Sequence, residues 1–205
     1  IPMRKIININ DGWKFIQENV GLPAEYPLHW SDVSLPHTLA SDGSVYLIDD
    51  TEQNRILVME EDVNLNGQPV FVPTQEFTGI GDRPHYIIYH EPTDTFYAWS
   101  SESGEMFLFR HPKEDSRMYL TEVRSIPSLN GIYVRSFTIM DDSIYFVSGN
   151  SSIIEADLDT FKIKKEYPVP DELYGMIQPD IAQINGKRFA CKGLEQPAKM
   201  GFADM

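Results

Sequence analysis

The run Arg83-Pro84-His85-Tyr86-Ile87-Ile88-Tyr89-His90 places two imidazoles, a guanidinium and two phenols within eight residues. Such groups can move a proton, hold an anion or meet sugar hydroxyls. Residues five apart in a strand point to opposite faces, so His85 and His90 are not expected to share a metal ion. The next apolar run, Thr95 to Trp99, should pair with this one and bring Tyr97 and Trp99 beside it. Sugars stack their C–H faces on aromatic rings while hydroxyls meet polar side chains. On that chemistry the expected substrate-binding residues are Arg83, His85, Tyr86, Tyr89, His90, Tyr97 and Trp99. The competing structural reading is that the same rings pack one sheet on another. His29, His37 and His111, each beside proline or an aromatic residue, read as structural.

Other constellations carry less. The carboxylate pairs Asp49-Asp50, Glu60-Glu61 and Asp141-Asp142 are neighbours that point apart, and glycoside hydrolysis needs two carboxyls facing each other across a cleft. They read as solvated residues at strand ends. No Gly-x-Ser-x-Gly nucleophile turn occurs, and Gly79-Ile80-Gly81 lacks the third glycine and following helix of a phosphate loop. No calcium loop of alternating aspartates is present. Neither a catalytic residue, nor a metal site, nor a cofactor is assigned.

The elements that must position these groups are strands. Ser44–Asp49 and Arg55–Glu60 flank a polar turn. His85–His90, Thr95–Trp99, Met106–Arg110 and Met118–Val123 follow, then Val134–Met140, Ser143–Val147, Ser152–Ala156 and Phe161–Tyr167. A poorer copy runs through Ile181–Ile184 and Lys187–Cys191. The one helical signal is a turn at Pro170–Gly175. Second strands begin near Val45, Thr95, Ser143 and Lys187, a period of about 44 to 50 residues that suits four-stranded propeller blades. The expected fold is all-β: a β-propeller-like array of antiparallel blades, three clear and one partial, over residues 41–205. Residues 1–40 form a short β leader, and Lys192–Met205 offers nothing to finish a blade.

The 205 residues carry 17 Lys plus Arg against 31 Asp plus Glu, a net charge of −14. Such a chain repels phosphate backbones and anionic lipid, which argues against nucleic acid and membrane partners. One cysteine, Cys191, permits no intrachain disulfide, and no apolar run spans a bilayer. A cytoplasmic location is expected, although a removed signal peptide would leave no trace.

Two resemblances add to this. Arg4-Lys5-Ile6-Ile7-Asn8-Ile9-Asn10-Asp11-Gly12-Trp13-Lys14-Phe15, then Trp30-Ser31-Asp32-Val33-Ser34-Leu35-Pro36-His37-Thr38, resembles the start of the sugar-binding domain of family 2 glycoside hydrolases. Leu39 stands where that family has Trp. That family's catalytic Glu follows Asn, and this chain has neither an Asn-Glu pair nor room for the catalytic barrel. Asp42-Gly43-Ser44-Val45-Tyr46-Leu47-Ile48-Asp49-Asp50 with Asn54-Arg55-Ile56-Leu57-Val58 resembles NHL-type propeller repeats, in which Asp and Asn-Arg-Ile tie adjacent strands. Arg83-Pro84-His85-Tyr86-Ile87 resembles the start of an inner strand in the same repeats. Leu35–Thr38 fits either the leader or the opening of the first blade.

The expected function is a non-catalytic, carbohydrate-associated (glycan-binding) protein. The alternatives are a truncated family 2 relative, a propeller lactonase or lyase acting on a sugar acid through His85 or His90, and a protein–protein scaffold. If the chain is enzymatic, it should hydrolyse glycosides or sugar lactones. Both resemblances are to larger proteins, so the chain reads as a truncation or a fusion, and either a homodimer completes the ring of blades or the first 40 residues supply the missing strands.

Overall fold

The computed structural model describes residues 37–148, 152–169, 176–194 and 199–204. The leader with its glycosidase-like motif, up to Pro36, and the helical turn expected at Pro170–Gly175 lie outside these residues. The first sheet holds β1 (Leu39–Ser41), β2 (Tyr46–Asp50), β3 (Arg55–Val63) and β4 (Pro69–Thr78). The second holds β5 (Pro84–His90), β6 (Thr95–Ser100), β7 (Glu105–Arg110) and β8 (Tyr119–Ser125). In the third are β9 (Phe137–Met140), β10 (Ser143–Ser148), β11 (Ser152–Asp157) and β12 (Ile163–Pro168). The fourth has three described strands, β13 (Met176–Ile184), β14 (Lys187–Leu194) and β15 (Lys199–Asp204). Each sheet is an antiparallel meander in chain order, the blade pattern the repeat implied. The fold is all-β, with three complete blades and one of three described strands. Among the described residues no helix is long and apolar enough to cross a membrane.

Blades form because their central strands are apolar on both faces. In β6, Phe96 and Ala98 join Leu47, Ile56 and Val58 of the first sheet, whereas Tyr97 and Trp99 join Phe137, Ile144 and Phe146 of the third. Tyr145 and Ile153 on the far face of the third sheet meet Ile181 and Ala190 of the fourth. Alternation along a strand therefore feeds two different cores, and each fully buried Leu, Ile or Phe contributes about 1.5–3 kcal/mol. The first strands touch in series, β1 to β5, β5 to β9 and β9 to β13. They form the inner rim from which each sheet spreads outward.

Three expectations need correction. Leu39–Ser41 pairs with Tyr46–Ile48, so the boundary drawn at residue 40 cuts the strand that opens the first blade. Pro69–Thr78 is a strand not anticipated, because Pro69 and Pro73 break the usual signal. The sheet tolerates them since β4 is its outer edge and Pro73 sits at a register shift. The C-terminal residues do extend a blade, for Lys199–Asp204 pairs along the length of β14.

Candidate functional site

The functional groups gather where the inner strands β1, β5 and β9 begin. In β5, Pro84 pairs with Ser100 and Tyr86 with Trp99, leaving His85 as the extra residue of a β-bulge. A bulge re-aims the side chain it carries. The His85 ring leaves the strand's alternation and stacks on His37, centroids 3.9 Å apart and 16° from parallel. On its other side the Tyr133 ring approaches edge-on at 5.9 Å.

Tyr133 and Arg135 are held there by the turn after β6. The Ser101 amide donates to the Arg83 carbonyl, and the Ser101 carbonyl accepts from the Val134 amide. The neighbouring Glu102 carbonyl accepts from the Gly131 amide. Gly104, at φ +68, closes this turn against the backbone of Ile126, Leu129 and Asn130. The guanidinium carbons of Arg83 and Arg135 lie 5.9 and 6.0 Å from the Tyr133 ring centre. Two cationic side chains thus flank one half-exposed phenol.

His37 is anchored from behind by the first sheet. Asp49, fully buried, accepts from the His37 amide at 3.1 Å, the Thr38 amide at 2.6 Å and the Thr38 hydroxyl at 3.2 Å. The Thr38 hydroxyl in turn accepts from the Ile87 amide of β5, tying the two sheets together. The His37 ring nitrogen Nδ1 lies 2.8 Å from the Thr51 hydroxyl, which also contacts the Pro84 carbonyl at 2.7 Å and Asp49 Oδ2 at 3.3 Å.

Electrostatics follow from this burial. His85 is 4% exposed, and neither ring nitrogen meets a hydrogen-bond partner among the described residues; the Arg135 backbone passes close without bonding geometry. Desolvation, then the neighbouring His37 and Arg135, lowers its pKa to about 4. Desolvation, Arg135 and Arg83 likewise hold His37 below the ordinary histidine value. Both imidazoles are neutral at pH 7 beside two guanidiniums, of which Arg83 also lies 3.8 Å from the Glu102 carboxylate. Desolvation raises Asp49 to about 7 against the pull of its hydrogen bonds.

Of the residues expected from sequence, Arg83 and His85 belong to this cluster. His90 sits at the other end of β5, roughly 17 Å along the strand, with Nδ1 2.9 Å from the Thr93 hydroxyl. Tyr89 is at that end too, donating to Asp94 at 2.7 Å. Tyr86 packs on Phe137 between sheets, and Tyr97 and Trp99 are 3% and 0% exposed. Tyr97 and Trp99 therefore belong to the inter-blade core, and the seven expected residues do not form one continuous platform. Asp49 and Asp50, expected to be solvated, are both fully buried, and Asp50 pairs with Arg55 Nε at 2.7 Å across the β2–β3 turn. His37, Asp49, Thr51, Tyr133 and Arg135 were missed. Pro36-His37 and Pro84-His85 share a dipeptide ahead of an inner strand, the one signal that could have joined the two histidines.

No family model and no curated protein sequence matches the chain. Solved structures do. A proposed 6-phosphogluconolactonase from Bacteroides uniformis aligns with a TM-score of 0.63 and 12% identity, over 82% of this chain and 52% of that one. A proposed 6-phosphogluconolactonase from Bacteroides fragilis aligns with a TM-score of 0.55 and 16% identity, over 87% and 56%. The computationally designed Ika4 protein aligns with a TM-score of 0.56 and 9% identity, over 88% and 95%. The chain spans about half the length of the two bacterial proteins. At these identities the likeness shows the fold, an array of β-propeller blades.

Proposed function

We propose that the cluster of His37, His85, Arg83, Tyr133 and Arg135 takes an anionic sugar-acid lactone and opens it by hydrolysis. The observation that carries this reading is the stack of two neutral imidazoles beside two guanidiniums. A neutral imidazole can accept a proton from water at pH 7, and a positive field attracts an anionic substrate and steadies the oxyanion formed at its carbonyl. Two similar structures bear a name that denotes hydrolysis of a phosphorylated sugar lactone, which supports the reading through the fold alone. The glycan-binding reading has lost its platform, because Tyr97 and Trp99 are buried.

The test is lactone opening followed by pH-stat, with spontaneous opening subtracted. The chain should accelerate 6-phosphogluconolactone more than the unphosphorylated lactone, and His37→Ala should lower that rate about 100-fold or more. No acceleration of either lactone, together with no binding of 6-phosphogluconate by calorimetry, would overturn the reading.

A further inference from the structure

We propose that Thr51 is a positioning residue that makes His37 the general base of this site, by fixing the imidazole with its proton on Nδ1 and its lone pair on Nε2. The catalytic half of this statement rests on the hydrolytic reading above; the tautomer rests on geometry alone.

Proton counting gives the tautomer. Thr51 has one hydroxyl hydrogen and three polar neighbours: the Pro84 carbonyl at 2.7 Å, His37 Nδ1 at 2.8 Å and Asp49 Oδ2 at 3.3 Å. The carbonyl can only accept. If the hydroxyl donated to Nδ1 instead, two oxygens would face each other at 2.7 Å with no proton between them. The hydrogen therefore goes to Pro84, and Nδ1 must carry its own proton to satisfy the Thr51 oxygen. Nε2 is left with a lone pair and meets no hydrogen-bond partner among the described residues. Thr51 itself cannot turn away, being 1% exposed and wedged between the first two sheets.

Asp49 completes the arrangement. Its Oδ2 lies 3.8 Å from His37 Nδ1, too far to bond directly, and it favours the imidazolium only in its ionised form, which predominates above about pH 7. The order carboxylate, hydroxyl, imidazole orients a base in the way a carboxylate alone does in a hydrolytic triad, with threonine inserted.

The step balances. Nε2 takes a proton from a water molecule as the water oxygen bonds to the lactone carbonyl carbon and the C=O π pair becomes an oxyanion. As the carbonyl re-forms, the ring C–O bond breaks, and the leaving alkoxide takes the proton from Nε2. The product is a hydroxy acid, and His37 returns to its starting form.

The decisive measurement is made on the wild-type protein. The ring nitrogens of 15N-histidine-labelled protein at pH 7.5 should show Nδ1 as the protonated nitrogen of His37, assigned by its loss in His37→Gln. A proton on Nε2 would overturn the proposal. Thr51→Val should give a mixture of tautomers and lower lactone turnover about 10-fold, and Thr51→Ser should restore both. A wild-type tautomer in Thr51→Val would also overturn it. The expected tautomer without lactone opening would defeat the hydrolytic reading and leave the positioning of His37 standing; lactone opening indifferent to Thr51→Val would do the reverse.

Discussion

His37 and His85 lie face to face at 3.9 Å, each at the start of an inner strand in a different sheet. Two imidazolium ions cannot share that separation in a half-buried setting, so protonating one opposes protonating the other. The contact is therefore compatible with neutral pH and becomes unfavourable in acid. It also joins the first two blades at the point where the arginines converge.

Replacing His85 by Phe tests how this contact is balanced. The ring stays, and two buried nitrogens without partners among the described residues disappear. Stability at pH 7.5 should change by less than about 1 kcal/mol, since no hydrogen bond is lost. Acid behaviour should change more. The folded pKa of about 4 lies below the ordinary 6.5, so the unfolded chain binds the extra proton and the wild type loses stability as pH falls from 6.5 to 4. His85→Phe should be spared up to about 3 kcal/mol of that loss. Urea titrations at pH 7.5 and 4.5 decide it; a loss above about 3 kcal/mol at pH 7.5 would contradict the account.

Asp49 should show the opposite dependence. Its carboxyl is raised to about 7 from 3.8, so the folded state holds a proton that the unfolded state has released. The resulting stability is complete below pH 3.8 and lost as pH rises through 7. Asp49→Asn removes this titration, so the stability of wild type relative to the variant should fall by up to about 4 kcal/mol between pH 4 and 8. Comparing the two proteins at each pH cancels the histidines. A constant difference across that range would refute the assignment.

What the sequence revealed, and what it concealed, divides along physical lines. Blade period and strand position were legible because β2, β6, β10 and β14 are marked by apolar runs and by turns at Asp or Asn, and the residues Asn54, Asp94, Asp141 and Asn185 of those turns take left-handed backbone in the structure. Pro69–Thr78 was hidden because an edge strand has no need of a continuous apolar run. The site was only half legible. Alternation assigns His85 a face, but the bulge at Pro84–Tyr86 breaks alternation and swings the ring toward His37. Burial of Asp49 was invisible for a similar reason: a carboxylate at a strand end reads as solvated unless its donors, here His37 and Thr38 from another strand's approach, are known.

The fourth sheet should depend on one carboxylate. Glu155 of β11 accepts from the hydroxyls of Ser143 at 2.9 Å, Tyr145 at 3.2 Å and Tyr167 at 2.6 Å. Arg188 of β14 reaches across to it at 3.5 Å and also bonds Tyr145 at 2.7 Å and Asp141 at 3.1 Å. Glu155→Leu strands these donors and should cost about 3 kcal/mol or more. Arg188→Leu leaves Glu155 its three hydroxyls and should cost about 1 kcal/mol. Hydrogen exchange should quicken in Met176–Leu194 in both variants, more so in the first. Equal protection in wild type and Glu155→Leu would show that apolar packing alone holds the sheet.

Gly104 controls the site from a distance. At φ +68 a side chain is strained wherever it occurs, but here a Cβ would also meet the Asn130 nitrogen at 2.8 Å, the Leu129 carbonyl carbon at 3.0 Å and the Ile126 oxygen at 3.1 Å. All three are backbone atoms, and the Ile126 amide is already bonded to the Gly104 carbonyl. The strand end must therefore separate from residues 126–130, and the segment that follows carries Tyr133 and Arg135. Gly79 has nearly the same φ, +67, with open space around it, so Gly79→Ala measures the conformational cost alone, about 1–2 kcal/mol. Gly104→Ala should cost at least about 1 kcal/mol more and, on the function proposed above, weaken binding of 6-phosphogluconate, whereas Gly79→Ala should leave that affinity within about twofold. Equal costs for the two variants would mean that residues 126–130 yield freely, and the placement of Tyr133 would then need another explanation than this turn.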